Sequence, residues 1–206
     1  MLESPRIFNN MFITPRTQFN NREVVQVHLI ESAKQKIRNE ITDIESRDDL
    51  SDDQKRSHII HIFSVTCAAV AVQPIPFADI FVLTPIQVFM GERLSSIRGM
   101  PLSQTEAKDL VKEIAGVVGL GMLAQQAALG LYKVGLPFLA GFTTIPLVYG
   151  LTFAMGRVMD HYLESKVRGE VISQAELKAA WKTARAEGVS KAKESKSEIA
   201  QRKTEF

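Results

Sequence analysis

From Arg22 to Ser46, Val27, Ile30, Lys34, Ile37, Ile41 and Ile44 fall three or four residues apart. That period predicts an amphipathic helix, interrupted once by Lys34. Coiled-coil pairing needs about three or four sustained heptads. This stripe supplies fewer, so the segment 21–50 is expected to pack on a core. Residues 1–20 hold Pro5 and Pro15 without periodicity and are expected to form a flexible N-terminal tail.

A second helix is predicted to open at Ser51. Ser51 and Gln54 have capping-box spacing, and Asp52 and Asp53 suit the positive end of a helix. The helix continues into IIHIFSVTCAAVAV and stops at Pro74 and Pro76, which lack an N–H and restrict the residues before them. Asp79 precedes the next apolar run and is expected as its N-cap. Thr84 with Pro85 is a rival start, and a proton or ion role for a carboxylate at membrane depth is the functional alternative. Residues 52–98 therefore read as a helical hairpin with PIPFAD at its tip.

Gly99, Met100 and Pro101 break the pattern, and Ser103 with Glu106 repeats the capping box. From Ile114 to Gly156 the only charged residue is Lys133, which separates runs of 19 and 23 residues. Both lengths are close to the roughly 20 apolar residues that cross a bilayer as a helix. The sequence thus predicts a membrane hairpin, with Lys133, Pro137, Pro146 and Arg157 as its marked positions. Arg157, Lys166 and Arg168 would hold its base on the cytoplasmic side. Gln125, Gln126 and four glycines between 116 and 130 equally suit a tightly packed soluble core.

Ser173 and Glu176 form a third capping-box match. Leu177, Ala180, Trp181 and Ala184 give the following helix an apolar face, with Trp181 docking on the domain's own surface. Gly188 is expected to end this helix, leaving residues 189–206 as a flexible, solvated tail. The fold class is all-α: a bundle of two apolar hairpins with polar flanking helices, its apolar domain spanning 51–188.

Charge counts sharpen this partition. Residues 1–58 carry 9 basic and 10 acidic side chains, residues 59–156 carry 5 and 5, and residues 157–206 carry 11 and 8. The net charge of +2 gives no sign of nucleic-acid binding. One cysteine, Cys67, rules out an internal disulfide and a multi-cysteine metal site. The first residues lack a secretory h-region, so the expected location is the cytoplasmic side of a membrane, peripheral or embedded by a hairpin, with the cytoplasm as alternative.

Candidate chemistry is sparse. No P-loop motif occurs, and GVVGLG at 116–121 lies in an apolar helical run with no strand before it. His58 and His61 share a helix face without an evident third ligand, and His161 beside Asp160 and Glu164 reads as surface pairing. No catalytic, cofactor or metal site is predicted.

The order PIPFAD, QVFMGERL, a capped helix, a Gly-rich apolar hairpin and LKAAWKTARAEG resembles a domain-of-unknown-function family. That family is found after Era-like GTPase domains and in YcjF-type inner-membrane proteins. The resemblance covers roughly residues 55–188 and rests most on the P-x-P-x-x-D turn, Pro74, Pro76 and Asp79, with Gln87 and Met90 beyond it. It implies an all-helical, membrane-associated, non-enzymatic module that works with a GTPase. No nucleotide site lies in this chain, so an Era-like or dynamin-like GTPase would be a separate partner. Membrane lipid is the other implied partner, and a homo-oligomer is open. A soluble helical adaptor and a membrane-disrupting or pore-forming effector remain as alternatives.

Overall fold

The computed structural model describes residues 21–72, 82–119 and 137–206, and every regular element among them is a helix. The helices are α1 (Asn21–Glu45), α2 (Asp52–Ala71), α3 (Leu83–Ile97), α4 (Gln104–Val118), α5 (Pro137–Val167), α6 (Gln174–Glu194) and α7 (Lys196–Lys203).

Three helix starts are written locally. Ser51, Ser103 and Ser173 each accept a hydrogen bond from the backbone N–H three residues on, and the side chains of Gln54, Glu106 and Glu176 accept in return from the cap N–H. By contrast, α3 has Val82 at its N-cap and no side-chain cap, and Pro85 sits in its first turn, where N–H groups have no helical partner anyway. Pro85 therefore does not interrupt that helix. Two helix ends use a Schellman closure: Gly99 and Gly169 have φ of 72° and 70°, and Met100 N–H and Glu170 N–H donate to Ser95 and Ser165 carbonyls at 3.0 and 2.8 Å.

The core is built around α2, whose residues 59–71 are buried apart from half-buried His61. Phe63 meets Phe89 of α3 edge to face, with centroids 5.5 Å apart. Tyr149, Met155 and Met159 of α5 are fully buried beside them. Each large apolar side chain so enclosed contributes about 1.5–3 kcal/mol. On α1 the buried line is Leu29, Ala33, Ile37 and Ile41, while Val27 is 57% exposed and Ile30 and Ile44 are half-buried. The inner face is thus rotated from the predicted stripe, because the small Ala33 allows close helix approach and Lys34 turns to the flank.

Gly188 does not end α6, which continues to Glu194. A Cβ at Gly188 would stand 2.9 Å from the Gly150 Cα, so this glycine serves the crossing of α5 and α6. Nor are residues 189–206 a solvated tail. They complete α6 and form α7, with Ile199 fully buried and Arg202 8% exposed.

Helix directions follow from side-chain contacts. Ile60 abuts Gly156, and Arg56 meets Asp160, so α2 and α5 are antiparallel. Met90 abuts Gly156 and Arg98 meets Asp160, so α3 runs with α5. Gly188 against Gly150, together with Ala180 and Ala184 lining one cleft with Asp160 and Glu164, sets α6 antiparallel to α5, and the Lys55 Nζ bond to the Glu45 carbonyl (3.0 Å) folds α1 back along α2. Ser51, Ser103 and Ser173 consequently gather at one end of the bundle. The last turn of α2 and the first turns of α1, α3 and α5 lie at the other, together with the C-terminus of α4.

Candidate functional site

The capped end is closed by charge. Asp160 Oδ1 lies 2.7 Å from Arg98 Nε and 2.9 Å from Arg56 Nε, joining α3, α5 and α2 through one carboxylate. The three side chains are 10%, 13% and 7% exposed in the order Arg98, Asp160, Arg56. Arg98 Nε donates a directed hydrogen bond, whereas Arg56 Nε stands at ion-pair distance without hydrogen-bond alignment. Arg56 also pairs with Asp53, Arg98 reaches Glu164 at 3.5 Å, and Glu164 in turn pairs with Arg168. Asp160 is therefore an interior hub rather than a member of the surface pairing read from sequence. Beside it, an open cleft of about 350 Å³ between α5 and α6 is lined by Arg157, His161, Thr183 and Glu187, among others.

A second polar cluster fixes α7. Arg202 donates to Thr66 Oγ1 at 3.0 Å and to Glu40 at 2.7 Å. His61 has its Nδ1 2.7 Å from the Tyr149 hydroxyl and its Nε2 2.9 Å from Glu198. Burial pushes the Tyr149 phenol up to about 12 and the Cys67 thiol up to about 12, so both stay protonated near neutral pH. His58 is exposed, and no group of three or more His, Cys, Asp or Glu among the described residues is arranged to hold a metal ion.

The opposite end has another character. The connections leaving it are residues 73–81, QPIPFADIF, with one charge, and residues 120–136, LGMLAQQAALGLYKVGL, with one. On α1 at that end, Val24, Val25 and Val27 are 53%, 51% and 57% exposed. Pro74, Pro76, Asp79 and Lys133 belong to these connections and lie outside the described residues, as does the tail 1–20.

The other marked positions are placed. Pro137 is the first residue of α5, and the helix passes through Pro146. Arg157 is exposed at the cleft, Gln87 and Met90 are buried core positions, and Trp181 packs half-buried on the core. The run 114–132 is not one helix: α4 stops at Val118, and Gly119 takes φ 87°. No helix among the described residues is long and apolar enough to cross a membrane. Asp160 and Glu164 of the α5 C-terminal half instead pair with Arg98 in the bundle's capped half, and Lys166 lies over the Tyr162 ring.

A family model described as "Domain of unknown function (DUF697)" matches residues 38–186, from within α1 to within α6. One curated relative, "Magnetosome membrane protein 22" of Magnetospirillum gryphiswaldense, is 29% identical over 120 residues. The match takes in 56% of this chain and 61% of the relative, so less than two thirds of that protein is represented here. No solved structure matches.

Proposed function

The chain belongs to the DUF697 family, and from that premise we propose that it is a non-enzymatic, membrane-associated helical module whose apolar end contacts the bilayer. The observation that supports this most is the polarity of the bundle. Three capping boxes and the Asp160 hub occupy one end, where Val167 and Val171 are exposed singly, while Val24, Val25 and Val27 are exposed together toward the other, from whose helices the chain leaves into the charge-poor sequences 73–81 and 120–136. Exposed apolar groups gathered on one side of a soluble domain mark an interaction surface. A similarity to a protein whose name describes it as a membrane protein favours lipid as what that surface meets.

Attachment here does not call for a spanning helix. Apolar side chains buried shallowly at the headgroup boundary suffice for reversible binding. The sidedness we favour is cytoplasmic, since a single cysteine suits a reducing compartment. The resemblance to modules beside Era-like GTPase domains supports a role alongside a separate GTPase. The capped end is then the surface left for that protein.

The test is vesicle flotation of the full chain with an environment-sensitive dye at Phe77→Cys or, separately, at Thr105→Cys. Flotation with a blue shift at position 77 alone is expected. Protein that stays at the bottom of the gradient, or a shift at position 105 instead, overturns the reading.

A further inference from the structure

The last helix, α7, is held by buried Ile199 and by polar side chains, and its N-cap residue Ser195 makes no side-chain cap. Arg202 lies 2.7 Å from Glu40, 3.7 Å from Glu205 and 3.9 Å from Glu198, and Lys36 meets Glu205 at 2.6 Å. These contacts join two cations to three carboxylates. Arg202 faces one oxygen of Glu198, and His61 of α2 takes the other, with Nε2 at 2.9 Å. A positive charge on His61 would be the third cation of the cluster.

The ring is placed to carry that charge. An ionised carboxylate only accepts, so Glu198 fixes the proton of neutral His61 on Nε2 and leaves Nδ1 to accept from the Tyr149 hydroxyl at 2.7 Å. Burial keeps that phenol neutral up to about 12. Once Nδ1 gains a proton, it donates to the Tyr149 oxygen, and the phenol hydrogen must turn elsewhere. Ser195 meets the Tyr149 hydroxyl and itself donates to the Lys191 carbonyl at 3.0 Å. The chain from His61 through Tyr149 and Ser195 to the Lys191 carbonyl then runs in one direction, with every donor matched. Proton uptake therefore orphans no polar group, a loss that would otherwise be costly. Glu187 and Glu194 of α6 act on Tyr149 from the same side, whereas the Lys191 ammonium is drawn over the Phe153 ring. His58, one turn back on α2, is exposed.

We propose that His61 is a pH-responsive latch for α7, gripping the helix more tightly when its imidazole is protonated. Histidine is the side chain that ordinarily changes charge between about pH 5 and 8. Docked α7 holds Glu198 against the ring and undocked α7 does not, so the extra grip is present at the acid end of that range. It is lost as pH rises through the His61 titration. The two side chains are 36% and 42% exposed, so screening limits the gain to roughly 2- to 5-fold in the docking equilibrium. Through Glu40 and Lys36 the latch reaches α1 as well, which is tied to α7 at Arg202 and Glu205.

The experiment is amide exchange of the full chain by NMR between pH 5.5 and 8, above the usual carboxylate range. Protection factors of Ile199 to Arg202 are taken relative to Ile60 of α2, in wild type, His61→Gln, Glu198→Gln and His58→Gln. Expected is a rise of roughly 2- to 5-fold toward pH 5.5 in wild type and His58→Gln, and none in the other two. A flat wild-type profile, or an equal rise in His61→Gln, overturns the latch. Imidazole nitrogen shifts of the wild type give a second reading that no folding defect of a variant can blur. They should show the Nε2–H tautomer at pH 8, and the Nδ1–H tautomer there overturns the proposal.

Discussion

Replacing Gly188 by alanine sets two effects of opposite sign against each other. Alanine inside a helix is favoured over glycine by about 1 kcal/mol. Against this, the new methyl would stand 2.9 Å from the Gly150 Cα, 3.0 Å from the Phe153 Cβ and 3.1 Å from the Gly150 carbonyl oxygen. Two of these neighbours are backbone, and neither can swing aside as a long side chain would. Overpacking of this kind costs about 1–3 kcal/mol and forces the two helices apart. The net expectation for Gly188→Ala is a loss of up to about 2 kcal/mol, or up to about 8 °C in Tm for a chain of this size. Gly116 supplies the opposite case, since it lies in α4 with nothing within 4 Å of a built Cβ. Gly116→Ala should therefore stabilise, by about 0.5–1 kcal/mol. Thermal unfolding followed by circular dichroism measures both. If Gly188→Ala melts above the wild type, as Gly116→Ala should, the close crossing of α5 and α6 is wrong.

Asp160→Ala would leave Arg56 and Arg98 buried without their shared carboxylate, and a loss of about 3–5 kcal/mol is expected in urea unfolding. Ser103→Ala removes one capping box and should cost about 1 kcal/mol in the same measurement. The Ser103 side-chain and backbone bonds hold the Glu106 carboxyl below its ordinary value, so their contribution is present above that value and fades as pH falls through the lowered one. Ser103→Ala should flatten that acid dependence, and an unchanged slope would count against the box. At alkaline pH the sign reverses. Tyr149 is held neutral by burial up to about 12, so stability falls as pH rises from the free phenol value toward 12. Tyr149→Phe should retain more of its neutral-pH stability over that window, which phenolate absorbance and unfolding midpoints can follow together.

What the sequence made legible was local. Ser51–Gln54, Ser103–Glu106 and Ser173–Glu176 are each complete within four residues, and all three helices begin where those pairs place them. What it hid depended on distance. Asp160 meets Arg98 across 62 positions, and no pattern around either residue announces the other. Residues 196–203 look unpatterned because α7 is held by Ile199 together with a buried guanidinium, and hydrophobic periodicity gives no credit to a buried arginine. On α1, weight given to valine and isoleucine drew the stripe through Val27, while Leu29 and Ala33 turned inward. Gly188 had the right residue type for a helix end but serves as a contact point, a distinction visible only once Gly150 is opposite it.

Tying α2, α3 and α5 together through Asp160 at one end makes the bundle resemble tongs with a riveted pivot. Rotation of a helix by a given angle about that pivot moves its far tip most, so breathing motions are expected to be smallest at Arg56 and Arg98 and to grow toward Ala71 and Leu83. Amide exchange should show this gradient along single helices, with α2 residues near Ile60 outlasting those near Val70. A binding surface at the far tips would then need only small angular changes at the pivot to spread or close.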